Sequence, residues 1–259
     1  MKRLLLYTIV IACSVNSYAQ ELQLYKKHIF ISNGDTIRYR LLLPEHYDAS
    51  KKYPLVYFLH GAGERGSDNE SQLMNGGRLF ANDSSRKNYP AIVVFPQCPK
   101  NSFWSNVSFR MDTAGRRQFI FSDTAAPTRA MVMAQELLTR LLTTYPVEKT
   151  QVYAAGLSMG GMGTYEIVNR NPGVFAAAIA ICGGGNPATA KQMKGTSWWI
   201  FHGAKDDVVP PALSQQMYEA LINVEAKARY TVYPEADHNS WDAAFAEPSL
   251  LPWLFSQHR

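Results

Sequence analysis

Ser158 sits inside Gly156-Leu157-Ser158-Met159-Gly160, a Gly-x-Ser-x-Gly pattern. The apolar run Val152-Tyr153-Ala154-Ala155 leads into it, and a helical pattern follows over 160–170. Such a turn between strand and helix exposes the serine hydroxyl on a bend too tight for neighbouring Cβ atoms. The helix that follows points its first N–H groups at the serine, which favours negative charge there. A serine hydroxyl is a weak nucleophile at neutral pH. It needs a base to take its proton, and the base needs a carboxylate to fix its tautomer and balance its charge.

Two segments further along the chain offer those partners. Phe201-His202-Gly203-Ala204-Lys205-Asp206-Asp207-Val208-Val209-Pro210 carries adjacent aspartates just after an apolar strand. Either could be the acid; the other would then cap or turn the chain ahead of the next helix. Tyr233-Pro234-Glu235-Ala236-Asp237-His238-Asn239-Ser240-Trp241 places His238 in the loop after the last strand. His258 stands one residue from the C-terminus, where chains fray. His60 and His202 each precede a glycine at a strand end and read as packing or hydrogen-bonding residues. His28 and His46 carry no signal. Attack on an ester carbonyl also creates an oxyanion that needs two aimed N–H donors. One is the backbone N–H of Met159. The other is expected from the loop His60-Gly61-Ala62-Gly63-Glu64-Arg65-Gly66, with Ala62 as the donor and Gly63 as the alternative.

These residues need a frame. Residues 22–32 and 36–43 read as a hairpin turning at Asn33-Gly34-Asp35. The continuous apolar run at 53–60 reads as a strand buried on both faces, 91–95 as the next buried strand, and 175–181, 197–201 and 228–233 as further strands. Helices are expected over 69–81, 128–145, 160–170 and 211–224, with a helical tail from Ser240. With the strand before Ser158, eight strands in this order imply an α/β fold: a mostly parallel sheet with helices on both faces. Sites in such sheets lie beyond the carboxyl ends of the strands, and every candidate above follows a strand. No repeat, low-complexity tract or linker divides the chain, so one domain is expected over 20–259.

Taken together, the His60 to Gly66, Gly156 to Gly161, His202 to Pro210 and His238 to Trp241 segments resemble the α/β-hydrolases. They are similar to the small carboxylesterase/phospholipase and dienelactone-hydrolase-like branch, which includes secreted peptidase-like and feruloyl- or acetyl-esterase-like members. The resemblance spans roughly residues 36–259. It implies the α/β-hydrolase fold, metal-free hydrolysis without a cofactor, and an acyl-serine intermediate. In the similar His-Gly-x-x-Asp-x-Val-Pro pattern of serine esterases the acid stands four residues after the histidine, which points to Asp206. Two positions depart from the family: Asp207 stands where relatives often have proline, and Asp237 where they often have glycine.

The 259-residue chain carries a net charge of +5 with 46% hydrophobic residues, an ordinary globular balance. No Lys/Arg cluster argues for nucleic acid. No His-Glu-x-x-His or cysteine cluster suggests a metal, and no phosphate-binding glycine motif suggests a nucleotide. Lys2 and Arg3, the apolar run Leu4 to Ala12 and the small residues Ser17 and Ala19 read as a signal peptide cleaved after Ala19. That run is too short to span a bilayer. Val10-Ile11-Ala12-Cys13 alternatively resembles a lipobox that would lipidate Cys13. Cys98 and Cys182 then remain and read as buried thiols, although a disulfide is open.

The segment from Phe95-Pro96-Gln97 to Trp104 is expected to edge the site. Gln97 and Trp104 are candidate substrate contacts together with Gly63, with Trp104 as a flat platform for a sugar or aromatic acyl group or simply a packing residue. The long stretch 100–127 carries several phenylalanines and reads as a small lid or a plain loop. Glu64 and Arg65 could clamp an anion or merely stabilise their loop. The expected function is an exported serine esterase acting on small acyl esters or acylated polysaccharide. A prolyl-oligopeptidase-like serine peptidase, a lysophospholipase and a non-catalytic binding module are the alternatives.

Overall fold

The computed structural model describes residues 20–113, 115, 117–122 and 126–259. The expected signal peptide and Cys13 lie outside the described residues.

Eight strands form one sheet in the order β1-β2-β4-β3-β7-β8-β9-β10. They are β1 (Lys26–Ser32), β2 (Asp35–Leu42), β3 (Tyr53–Leu59), β4 (Ile92–Gln97), β7 (Val147–Leu157), β8 (Ala177–Ile181), β9 (Ser197–Gly203) and β10 (Ala228–Tyr233). The β1–β2 hairpin turns at Asn33 and Gly34, both at positive φ, the geometry whose twist suits paired strands. β2 runs antiparallel to β4, and every pairing from β4 through β10 is parallel. The chain thus belongs to the mostly parallel α/β class that the apolar runs imply.

Alternation along each strand sends side chains to both faces. In β3, Leu55, Tyr57 and Leu59 enter one core, while Val56 and Phe58 enter the other. The first core packs under α3 (Arg129–Thr144) and α4 (Met159–Arg170). Thr128 caps α3 by accepting from Met131 N–H at 3.1 Å, and Met131, Ala134, Leu137, Leu138 and Leu141 form its buried face. Burial of each leucine or methionine there contributes about 1.5–3 kcal/mol. The second core packs under α1 (Gly77–Ala81), α6 (Trp241–Phe245) and α7 (Leu250–Phe255). Two further helices, α2 (Asp83–Asn88) and α5 (Pro211–Asn223), complete the layers. Among the described residues, no helix is long and apolar enough to cross a membrane.

Two expectations are corrected. The helix expected over 69–81 is broken into a 3-10 turn at Ser71–Leu73 and the short α1. Gly76 between them takes φ 96°, and the Phe58 ring occupies the space a Cβ would need, at 2.8 Å. Stretch 100–127 is not a plain loop: β5 (Val107–Met111) and β6 (Arg117–Phe121) pair as an antiparallel ribbon. Phe109 meets Phe103 and Phe119 edge to face, and the Arg65 guanidinium lies 4.8 Å from the Phe103 ring.

Candidate active site

Ser158 follows the last residue of β7 and caps α4. It takes φ 53° and ψ −119°, a conformation that costs a non-glycine residue about 1–3 kcal/mol. Its N–H donates to Ile181 O at 2.8 Å, and its carbonyl accepts from Met162 N–H at 3.0 Å. Gly160 allows the turn: a Cβ there would stand 1.8 Å from Leu59 O and 2.7 Å from His60 O. The start of α4 is therefore pressed directly against the end of β3 and the loop that follows it.

The hydroxyl is partly exposed, and Ser158 Oγ lies 2.9 Å from His238 Nε2. His238 Nδ1 lies 2.8 Å from Asp206 Oδ2. The loop bearing His238 is held by backbone bonds: Lys205 N–H donates to Ala236 O, and Ala204 N–H to Tyr233 O, both at 2.9 Å. The β9 end offers no side chain to hinder this, since a Cβ on Gly203 would stand 2.3 Å from Asp237 O. The Trp241 ring meets the His238 ring edge to face at 5.6 Å. Its position three residues on, at the start of a helical turn, was the available signal for that contact.

Of the two adjacent aspartates, the structure turns Asp206 inward and leaves Asp207 exposed. Asp206 Oδ1 accepts from Val208 N–H and Val209 N–H, each at 2.9 Å. Burial works against its charge. Hydrogen bonds from His202, His238 and Val209 N–H outweigh that and hold the carboxyl well below the usual range.

Met159 begins α4, and Ala62 begins the 3-10 turn Ala62–Glu64. As first residues of helical turns, neither finds an acceptor for its N–H within its own turn. The Gly160 contact packs the start of α4 against the carbonyls of Leu59 and His60, three and two residues ahead of Ala62. Gly63 is exposed, with nothing within 4 Å of a Cβ built on it. His60 is buried and accepts from Cys98 N–H on Nε2 at 2.9 Å, so its Nδ1–H donates to Gly61 O at 2.6 Å. Burial lowers its pKa to about 4 and keeps it neutral.

Two of the three expected substrate contacts, Trp104 and Gln97, have other work, as do Glu64 and Arg65. Trp104 is fully buried; its indole N–H donates to His60 O at 3.1 Å, and its Cβ fills the space beside Gly163. It buttresses the loop and is no platform for a ligand. Gln97 is buried as well. Its Oε1 accepts from Asn69 N–H at 2.8 Å, and its Nε2 donates to Glu64 O and Asp68 Oδ1. Glu64 and Arg65 are held by different partners. Asn75 Nδ2 donates to Glu64 Oε1 at 2.9 Å, while Arg65 donates to Ala62 O at 3.0 Å and Ser102 O at 3.2 Å.

Cys98 and Cys182 are both buried free thiols. The potential metal-ligand atoms of Cys182, Asp206 and His238 lie within 4.8 Å of one another. The carboxylate and imidazole atoms concerned are already bonded to each other, and burial pushes the Cys182 thiol up, away from the thiolate that metals prefer.

A family model described as "Putative esterase" matches residues 32–248. The chain belongs to this esterase family. It is 27% identical over 187 residues to the "Probable feruloyl esterase C" of Aspergillus terreus, covering 70% of this chain and 58% of that protein. A solved structure described as a thermostable esterase is 34% identical with a TM-score of 0.81, over 93% of this chain and 64% of that one. The chain thus spans less than two thirds of the length of both relatives. The ferulic acid esterase of Anaeromyces mucronatus, solved with ferulic acid, is 18% identical with a TM-score of 0.63 over 90% of each chain. At that identity the likeness is one of fold, and the fold is that of the α/β-hydrolase esterases.

Proposed function

We propose that this esterase-family chain hydrolyses carboxylic esters through an acyl-serine intermediate. The observation that carries the reading is the hydrogen-bonded line from Ser158 Oγ through His238 to Asp206, at 2.9 and 2.8 Å. His238 Nε2 takes the hydroxyl proton as Ser158 Oγ attacks the ester carbonyl. Asp206 keeps the proton of His238 on Nδ1 and balances the imidazolium that forms. The tetrahedral oxyanion is held by the N–H groups of Met159 and Ala62. Each such donor contributes about 3 kcal/mol to lowering the barrier. His238 then returns its proton to the leaving alcohol, and water repeats the sequence in reverse on the acyl-enzyme.

The N-terminal pattern of Lys2, Arg3, a short apolar run and Ser17-Tyr18-Ala19 supports export. Substrates outside the cytoplasm follow from export. The resemblance to a probable feruloyl esterase favours aromatic acyl esters over phospholipids. Labelling by a fluorophosphonate tests the nucleophile: an adduct on Ser158 is expected, and an unlabelled protein would end the reading. Turnover of feruloyl, acetyl-sugar, short-chain and phospholipid esters, measured side by side, then ranks the substrate classes.

A further inference from the structure

Behind the line from Ser158 to Asp206 lies a second histidine that the reaction leaves unused. His202 is the penultimate residue of β9 and is fully buried. Its Nε2 lies 3.1 Å from Asp206 Oδ2, the same oxygen that His238 Nδ1 reaches at 2.8 Å. Nε2 also lies 2.9 Å from Val209 O. Both neighbours of Nε2 are acceptors, so that nitrogen carries a proton. On the other edge of the ring, Nδ1 meets Ser214 Oγ at 2.7 Å. Ser214 is buried on α5, and its Oγ also lies 2.9 Å from Gly183 O, so its single proton serves that carbonyl or Nδ1 and the contact ties the assembly to the end of β8.

The Asp206 carboxylate therefore meets four donors, about as many as its lone pairs serve. They divide unevenly. Backbone N–H groups hold Oδ1, whereas Oδ2 is shared between the proposed base and a side chain anchored from α5. A hydrogen bond to Oδ2 fixes the carboxylate's orientation. It also withdraws charge from the oxygen that attracts the His238 proton. Other charged groups nearby are poorly placed for this. Cys182, from the end of β8, is a neutral thiol because burial pushes it up. Lys205, Asp207 and Asp237 on the same loops are exposed, and Lys205 pairs with Glu235.

We infer that His202, anchored by Ser214, is a positioning residue that holds Asp206 Oδ2 and extends activity toward lower pH. The inference rests on the proposed roles of Ser158, His238 and Asp206. Without the His202 donor, Oδ2 faces His238 alone and pulls more strongly on its proton. His238 is then available as a base only at higher pH. A proton on Nδ1 would not reverse the sign, because losing a cation beside Asp206 shifts the balance in the same direction.

The test measures kcat and KM for p-nitrophenyl acetate across the acid limb in His202→Gln, His202→Leu and Ser214→Ala. Glutamine can present an N–H near the position of Nε2, and leucine cannot. His202→Leu is expected to move the acid limb of kcat/KM up by about one pH unit, with KM little changed. His202→Gln should restore most of the parental profile, and Ser214→Ala should move the limb in the leucine direction by less. A folded His202→Leu protein with the parental acid limb would overturn the inference. So would a glutamine variant displaced as far as the leucine one. If His202→Leu does not fold, Ser214→Ala decides: an unmoved limb there also overturns it. Ser158→Ala is assayed in parallel. Hydrolysis surviving in that variant counts against the proposed nucleophile itself, a result separable from any His202 outcome.

Discussion

The hydroxyl of Ser158 and the imidazole of His238 stand 80 residues apart in sequence and 2.9 Å apart in space. Two loops at the same edge of the sheet bring them together, one after β7 and one after β10. Ser158→Ala removes one oxygen and leaves the bonds from Ser158 N–H to Ile181 O and from Met162 N–H to Ser158 O in place. Turnover of p-nitrophenyl acetate is expected to fall about a million-fold, with the melting temperature nearly unchanged. Hydrolysis within about tenfold of the parent would remove Ser158 from the mechanism.

The adjacent aspartates separate sharply. Asp206→Asn disturbs a buried carboxylate bonded to His238, His202 and two backbone N–H groups. An amide there presents N–H where an acceptor is needed and favours the wrong imidazole tautomer. A loss of about ten-thousand-fold in kcat is expected. Asp207→Asn changes an exposed side chain and should leave kcat within about twofold. The reverse ranking in a steady-state assay would exchange their roles.

Legibility differs from residue to residue for physical reasons. The turn at Ser158 could be read because backbone closeness forces its glycines: Gly160 has no room for a Cβ beside Leu59 O. The inner parallel strands, such as β3 and β4, could be read because burial on both faces writes a continuous apolar run. Asp206 and Asp207 could not be separated by type alone. What separates them is the capture of one carboxylate by the Val208 and Val209 N–H groups, a property of the turn. Trp104 reads from sequence as either a platform or a packing residue; packing is what its burial shows, and its orientation follows from the space left beside Gly163 on a distant helix. The ribbon of β5 and β6 left only a weak signal: Val107, Phe109 and Met111 alternate with Ser108 and Arg110, but β6 does not alternate and neither strand has a buried residue.

Trp104 gives a test of that direction. Trp104→Phe keeps a ring beside Gly163 but removes the N–H that serves His60 O. A cost of about 1–3 kcal/mol in unfolding free energy is expected, because a buried carbonyl loses its donor. Trp104→Ala adds a cavity and should cost about 3–5 kcal/mol. Both losses should appear in denaturant melts. A large rise in KM with unaltered stability would instead make Trp104 a ligand contact.

The glycines near the site should respond in opposite ways. A Cβ at Gly160 meets backbone oxygen at 1.8 Å, and backbone cannot step aside without moving α4 off β3. Gly160→Ala is therefore expected to destabilise the fold by more than about 4 kcal/mol or to abolish soluble expression. At Gly63 a Cβ meets nothing within 4 Å. Gly63→Ala should leave the melting temperature unchanged, and any effect should fall on KM for bulky esters. A Gly160→Ala protein as stable as the parent would contradict the packing described for the turn.

Acid should weaken the fold through Asp206 in a definite direction. Burial raises this carboxyl, but the hydrogen bonds from His202, His238 and Val209 N–H depress it well below its ordinary 3.8. A folded-state value below the unfolded one means that stability is gained when the group ionises. That contribution is complete above about pH 4–5 and is lost as pH falls further, toward the folded value. Asp206→Asn cannot titrate and lacks the contribution at every pH. The gap in melting temperature between parent and Asp206→Asn should therefore narrow progressively below about pH 4. Thermal melts of both proteins in matched buffers measure it. A gap that widened as pH fell below about 4 would mean that the carboxyl is raised in the folded state, against the four donors that surround it.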